Sequence, residues 1–319
     1  MADGSTEIVE TTPVSRVGRS LGRGLLAILV LIALWYVVGM IWLHRIADDP
    51  NFFSDEAAAV EGSRTVAVAA AVIDREVNQN RWIANDPFFQ PGYMLDNMPN
   101  FQIGIVQAMS RFAIELKDQI ARVRGSSQID EDANDASGRL NYPGDVWIFE
   151  WSSTPVQPSS ESQYRKAIED FRRYNERLAS GSARFEPRSD NLLATLDRIA
   201  SDIGSSSAAV TEKVDGSARS WIDFTADDLF YENKGRLYGY YLLLREMRHD
   251  FAGVIEDRDL SRIWDEMLVN FQVAATLQPW VVVNGGLDSQ LRPSHLASQG
   301  FLLLRARTQL REITNILLK

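Results

Sequence analysis

Between Gly24 and Leu43 the chain carries twenty residues without a charge, and from Val66 onward its apolar residues recur three and four apart. The first pattern predicts a helix of roughly 30 Å, the thickness of a bilayer core. The second predicts amphipathic helices that bury one face against each other in water. Asn51–Ser63 leads into the first of these helices, where Val66, Ala69, Ile73 and Val77 share a face. Trp82–Asn100 is broken by three prolines and a Pro-Gly pair, so it reads as an aromatic-rich loop that packs down on its neighbours. Phe101, Ile105, Met109, Phe112, Leu116 and Ile120 then form one stripe, with Gly125 as the expected stop.

Further helices follow. Ser160-Glu-Ser-Gln163 has capping-box spacing ahead of Tyr164, Ile168, Phe171 and Leu178. Leu192, Leu196, Ile199 and Ile203 repeat the pattern, with a break expected at Gly204-Ser-Ser-Ser207 before Val210 and Val214. Thr225-Ala-Asp-Asp228 is expected to cap a long segment running through Phe230, Leu237, Tyr240, Leu244, Met247, Phe251 and Val254. Leu260–Ala274 and a helix starting at Ser294 complete the series. Val146–Trp151 is the best strand candidate, and Val281–Val283 is a shorter apolar run. The fold class expected is mainly α: a single N-terminal transmembrane helix, then a bundle-like soluble domain with at most a few short strands. Its divisions are a tail over 1–23, the anchor over 24–43, a lead over 44–63 and the helical domain over 64–319.

Charge sets the orientation of the apolar run. Arg16, Arg19 and Arg23 precede it, whereas His44 and Arg45 follow it and meet Asp48 and Asp49 at once. That asymmetry places the N-terminus in the cytoplasm and the large domain outside. Gly24, Leu25, Leu31, Trp35, Trp42 and Leu43 mark the anchor, with Trp42 at the outer headgroup level. A cleaved signal peptide has the same basic-then-apolar order. Cleavage after Ala47 or Gly39 would put Arg45 or Val37 at minus three, so neither site has an Ala-x-Ala pattern. A retained anchor is the reading.

The chain carries 43 acids against 33 bases and has a net charge of −10. Up to Arg45 the bases are the more numerous, so the acid excess belongs to the domain, which disfavours nucleic acid as a partner. With no cysteine, disulfides, thiolate metal sites and Cys nucleophiles are excluded.

Candidate chemistry is sparse. Asp130, Asp132 and Asn134 match the opening of a calcium loop, but Asp135 stands at position six, where glycine makes the turn, and Asn141 stands at position twelve, where a bidentate Glu is needed. A solvated acidic loop or a first helical turn is the simpler reading. The three histidines, His44, His249 and His295, have no zinc spacing. Glu150 lies between Trp147 and Trp151, whose rings would raise its pKa and could stack on sugar, so these three residues are the candidate catalytic group of a glycan hydrolase. Core-filling tryptophans are the plainer account of the same residues. No cofactor is implied.

Asp96–Gln102, Arg124–Gln128, Tyr142–Trp147, Arg188–Leu192 and Arg305–Glu312 together resemble an uncharacterised family of proteobacterial membrane proteins, domain of unknown function 2333. The resemblance implies a bacterial, single-pass inner-membrane protein, whose external domain, by the charge asymmetry above, would be periplasmic. It brings no catalytic residue. The function expected is a non-enzymatic binding or scaffolding component of the envelope, held to the lipid bilayer by one helix and partnered by another envelope protein or by a second copy of itself. The alternative is an envelope hydrolase acting on glycan or other cell-wall material.

Overall fold

A computed structural model describes residues 16–122, 129–149, 156–216, 224–279, 281–284 and 294–319. Among them the regular structure is helical, and the only β-pairing is an isolated bridge between Asn284 and Ser294. The helices are α1 (Arg16–Leu43), α2 (Ser54–Ala58), α3 (Arg64–Asp74), α4 (Asn97–Glu115), α5 (Glu131–Leu140), α6 (Ser160–Ala179), α7 (Ser189–Gly216), α8 (Phe224–Asp250), α9 (Ala252–Asp257), α10 (Ser261–Ala275) and α11 (His295–Leu317). Single π-helical turns prolong α3 over Arg75–Gln79 and α4 over Leu116–Ile120.

α8 is the axis of the domain. Leu237, Tyr238, Tyr240, Leu242, Leu243 and Leu244 are all buried, so its apolar surface is not confined to one stripe, and α3, α4 and α10 pack around it. α7 pairs with α11, and α5 with α6. The closest approach is between α4 and α8, where glycine removes the obstacle. A Cβ on Gly104 would lie 2.0 Å from the Glu232 carbonyl oxygen, and one on Gly235 would lie 2.0 Å from that of Phe101. Backbones therefore meet where side chains normally keep helices 8–10 Å apart.

The apolar stripes are inward as their spacing predicts. Phe101 to Ile120 and Leu296, Leu303, Leu310, Ile313 and Leu317 are buried, and Ser294 caps α11 by accepting from Ala297 N at 3.2 Å. Four local expectations are corrected. Val146–Phe149 forms no strand, because its backbone pairs with the chain entering α6: Val146 O accepts from Ser160 N at 3.0 Å, and Ile148 O from Gln157 N at 3.0 Å. The capping box is not made. Ser160 Oγ instead donates to Pro143 O at 2.7 Å and accepts from Val146 N at 3.0 Å, while Ser159 occupies the cap position. α7 runs unbroken through Gly204–Ser207, since packing against α11 overrides weak local propensity. The α8 stripe stops at Phe251, which leaves helical geometry at φ −107°, and α9 resumes from Ala252. Gly125 lies outside the described residues.

α1 includes Leu21–Leu43, a span long and apolar enough to cross a membrane, with none of its most apolar window buried in the protein.

Candidate functional site

A connected set of polar contacts lies where the chain leaves α1. Residues 44–53 run along α8, and three α8 side chains hold them. Lys234 Nζ donates to Asp48 Oδ2 at 2.7 Å and to Leu277 O at 2.5 Å. The Tyr238 hydroxyl donates to Asp49 O at 2.7 Å. Arg245 donates to Pro50 O at 2.7 Å and to Phe52 O at 2.9 Å. Positions 234, 238 and 245 fall on one side of a helix, so a single stripe of α8 reads successive groups of the extended segment. Asp48 also accepts from Gln278 Nε2 at 3.0 and 3.1 Å, which ties in the end of α10.

Burial makes these bonds firm. The Lys234 side chain is 1% exposed, and desolvation pulls its pKa below the usual lysine value against the opposing pull of Asp48. Tyr238 is pushed up to about 12, first by burial. Its hydroxyl also accepts from Arg75 at 2.9 Å, and Arg75 donates to Glu76 at 2.8 Å and stacks 4.3 Å from the Phe52 ring centroid. Gln102 closes the network, bonding Glu76 O at 3.2 Å and Arg81 O at 2.9 Å. The π-turn after α3 is what brings Arg75 and Glu76 inward together.

The second feature is an apolar apron beside α1. Within 87–94, Phe88, Phe89, Tyr93 and Met94 are exposed, and Phe88, Phe89, Trp147 and Phe149 form a chain of edge-on ring contacts at 5.3–5.8 Å. Trp35 Nε1 donates to Phe89 O at 3.2 Å, and the Tyr36 hydroxyl donates to Phe88 O. Pro91 sits in the notch at Gly39, where a Cβ would lie 2.3 Å from its Cγ. A groove of about 640 Å³ remains between α1 and the domain, walled by Leu31, Trp35 and Trp42 and edged by Arg45 and Arg81.

Asp130 and Asp132 are drawn together, with arginine between them. Asp130 caps α5 by accepting from Ala133 N at 3.2 Å; Arg177 reaches Asp130 at 2.7 Å and Asp132 at 2.6 Å, and Arg173 reaches Asp132 at 2.9 Å. Asn134 is exposed on the next turn. These carboxylates thus fasten α5 to α6. Trp147 is half-buried in the apron, whereas Glu150 and Trp151 lie outside the described residues. His44 and His249 are exposed and apart from His295, whose Nδ1 accepts from Val283 N at 2.9 Å.

Among the described residues one further set of acids converges: Asp96, Asp227 and Asp228, at the starts of α4 and α8. Burial, then the neighbouring carboxylates, raise the pKa of Asp228; burial and Asp96 do the same for Asp227. A concavity of about 530 Å³ contains Asp250, whose oxygens accept from Ser63 Oγ and from the backbone N–H groups of Arg64 and Thr65 at 2.6–3.0 Å, capping α3.

Neither Lys234, Tyr238 and Arg245 nor the pairing of Phe88 and Phe89 with α1 is predicted by the sequence reading. The i, i+4, i+11 placement of three donors on one side of α8 is the signal available for the first.

A model of an uncharacterised protein family conserved in bacteria, domain of unknown function 2333, matches residues 14–221. No curated protein and no solved structure matches the chain.

Proposed function

On the premise that the chain belongs to this uncharacterised bacterial family, we propose that it is a single-pass inner-membrane protein. Its acidic helical domain stands in the periplasm as a rigid binding or scaffolding component, without catalysis. The observation that carries the reading is the clamp of Lys234, Tyr238 and Arg245 on residues 48–52. A catalytic domain needs only a tether, whereas here the segment that follows α1 is bonded into the domain and α1 itself bonds the 87–94 loop, which supports a set pose. Such a pose presents one face to partners confined to the membrane plane, where effective concentration is high.

Other features support the same reading. Asp130, Asp132 and Asp250 are engaged in helix caps and ion pairs, which explains them without chemistry. Three Arg before the apolar span and one after it favour an external domain. The partner is another envelope protein or a second copy of the chain, with basic or neutral surface to meet the acidic domain.

Site-specific photo-crosslinking in intact cells tests this. The expected result is one or two discrete adducts from probes on one domain face, lost when α1 is replaced by a cleavable leader. Uniformly absent adducts together with release of glycan fragments by the purified protein would establish the hydrolase instead. A reporter fused after Lys319 that is active only in the cytoplasm would overturn the orientation.

A further inference from the structure

We infer that residues 87–94, with Phe149, form a wedge that enters the hydrocarbon of the same leaflet the domain stands on, a second membrane contact beside α1. This inference rests on the anchor reading above. Its first argument is depth. Arg23 closes the apolar span at one end, and twenty residues of helix are needed to cross about 30 Å, so the span must run to Leu43. Trp35 lies eight residues before Leu43, about 12 Å below that edge at 1.5 Å per residue. Helical side chains lean toward the N-terminus, here toward the bilayer centre, so the groups they bond lie no shallower. Those groups are the carbonyls of Phe89 and Phe88. The loop is therefore held well inside a leaflet roughly 15 Å deep, half of the core.

The second argument is composition. Pro-Phe-Phe-Gln-Pro-Gly-Tyr-Met, residues 87–94, has no charge. Phe88, Phe89, Tyr93 and Met94 are 48–71% exposed, an arrangement whose apolar area costs free energy in water and is relieved in lipid. At one neck Arg81, 46% exposed, meets Asp86 at 3.0 Å and donates to Gln90 Oε1 at 2.8 Å, with the Asp86 side chain 7% exposed; at the other the exposed Asp96 ends the uncharged stretch.

The third argument concerns the backbone, which lipid does not solvate. Irregular chain survives at that depth only if its polar groups find partners. Pro87 and Pro91 have no N–H to satisfy. Gln90 N donates to Pro87 O at 2.8 Å, Tyr93 N to Gln90 O at 3.2 Å, and Leu95 N to Gly92 O at 3.0 Å. Trp35 and Tyr36 cap the carbonyls of Phe89 and Phe88. An indole and a phenol near the middle of an apolar span need acceptors, and the loop supplies them. The occupant of the exposed ring faces is thus the acyl region of the bilayer.

The absence of cysteine permits a direct test. The full chain, carrying one nitroxide at a time through Phe88→Cys, Met94→Cys, Ile32→Cys or Val273→Cys, is reconstituted in phosphatidylethanolamine and phosphatidylglycerol vesicles. Collisions with oxygen, which concentrates in hydrocarbon, are compared with collisions with a water-soluble nickel chelate. Oxygen-dominated relaxation at 88, 94 and 32, with nickel-dominated relaxation at 273, is expected. Nickel-dominated relaxation at 88 and 94 with oxygen-dominated relaxation at 32 would overturn the wedge and leave the anchor standing. Nickel-dominated relaxation at 32 would overturn the anchor, and the wedge with it.

Discussion

Lys234 Nζ and Asp48 Oδ2 lie 2.7 Å apart across 186 residues of sequence, with the lysine side chain 1% exposed and the aspartate 12%. This pair joins the segment leaving α1 to the axial helix of the domain. Deleting one member of a buried pair strands the other's charge, at a cost of about 3–5 kcal/mol, whereas replacing both members by apolar residues of matched volume is far milder. Asp48→Ala is therefore expected to lower stability by about 3 kcal/mol, and Lys234→Met by less, because Met leaves no buried cation and Asp48 keeps Gln278. Thermal midpoints of the two variants in detergent check the order.

The same pair sets a pH dependence. Burial lowers the folded pKa of Lys234 below the ordinary 10.5 of the unfolded chain. Between those two values the unfolded state binds more protons, so this group's contribution to stability rises with pH across that window. Urea titrations on the alkaline side, approaching the ordinary lysine pKa of 10.5, are expected to show the rise in the intact chain and its loss in Lys234→Met.

At the α4–α8 contact, Gly235→Ala should destabilise although alanine is the better helix former. The propensity gain is about 1 kcal/mol. A Cβ placed 2.0 Å from the Phe101 carbonyl oxygen forces backbone to move, and overpacking of this kind costs about 1–3 kcal/mol. A net loss is expected at Gly235 and none at Gly216, where a Cβ meets open space. Denaturation of the paired variants separates the two.

The helices were legible because each needed only its own stripe. Phe101 to Ile120 and Leu296 to Leu317 state their faces locally, whereas the single stripe expected for α8 understates it, since Tyr238, Leu242 and Leu243 are buried as well. The clamp and the apron were not legible for a common reason. Phe88 finds Tyr36 across 52 residues and Lys234 finds Asp48 across 186, so no short window contains both partners. A local signal misled where other groups competed for the same atom: the Ser160 hydroxyl donates to Pro143 O and accepts from Val146 N in place of the expected box.

Asp96, Asp227 and Asp228 make an acid-side prediction. The pKa values of Asp227 and Asp228 are raised by burial, and Asp96 adds to both. Their folded states bind protons more readily than the unfolded chain, so this cluster's contribution grows as pH falls from 7 toward the ordinary carboxylate range. Asp227→Asn is expected to raise the neutral-pH melting point and to flatten its rise as pH falls toward the ordinary carboxylate range, with calorimetry as the readout.

Gly39 is the seat of Pro91 on α1. Gly39→Leu leaves the span apolar, and is expected to displace the loop without releasing the protein from membranes. A nitroxide at Met94 should become more mobile, while carbonate extraction leaves the protein in the pellet.

The fixed pose of α1 on the domain is the centre of this account, and a distance distribution measures it. Nitroxides at Ile41→Cys and Arg262→Cys, both exposed, are read by double electron–electron resonance in vesicles. One narrow distance is expected, broadening when Lys234, Tyr238 and Arg245 are replaced together by Met, Phe and Met. A broad distribution in the intact chain would contradict it.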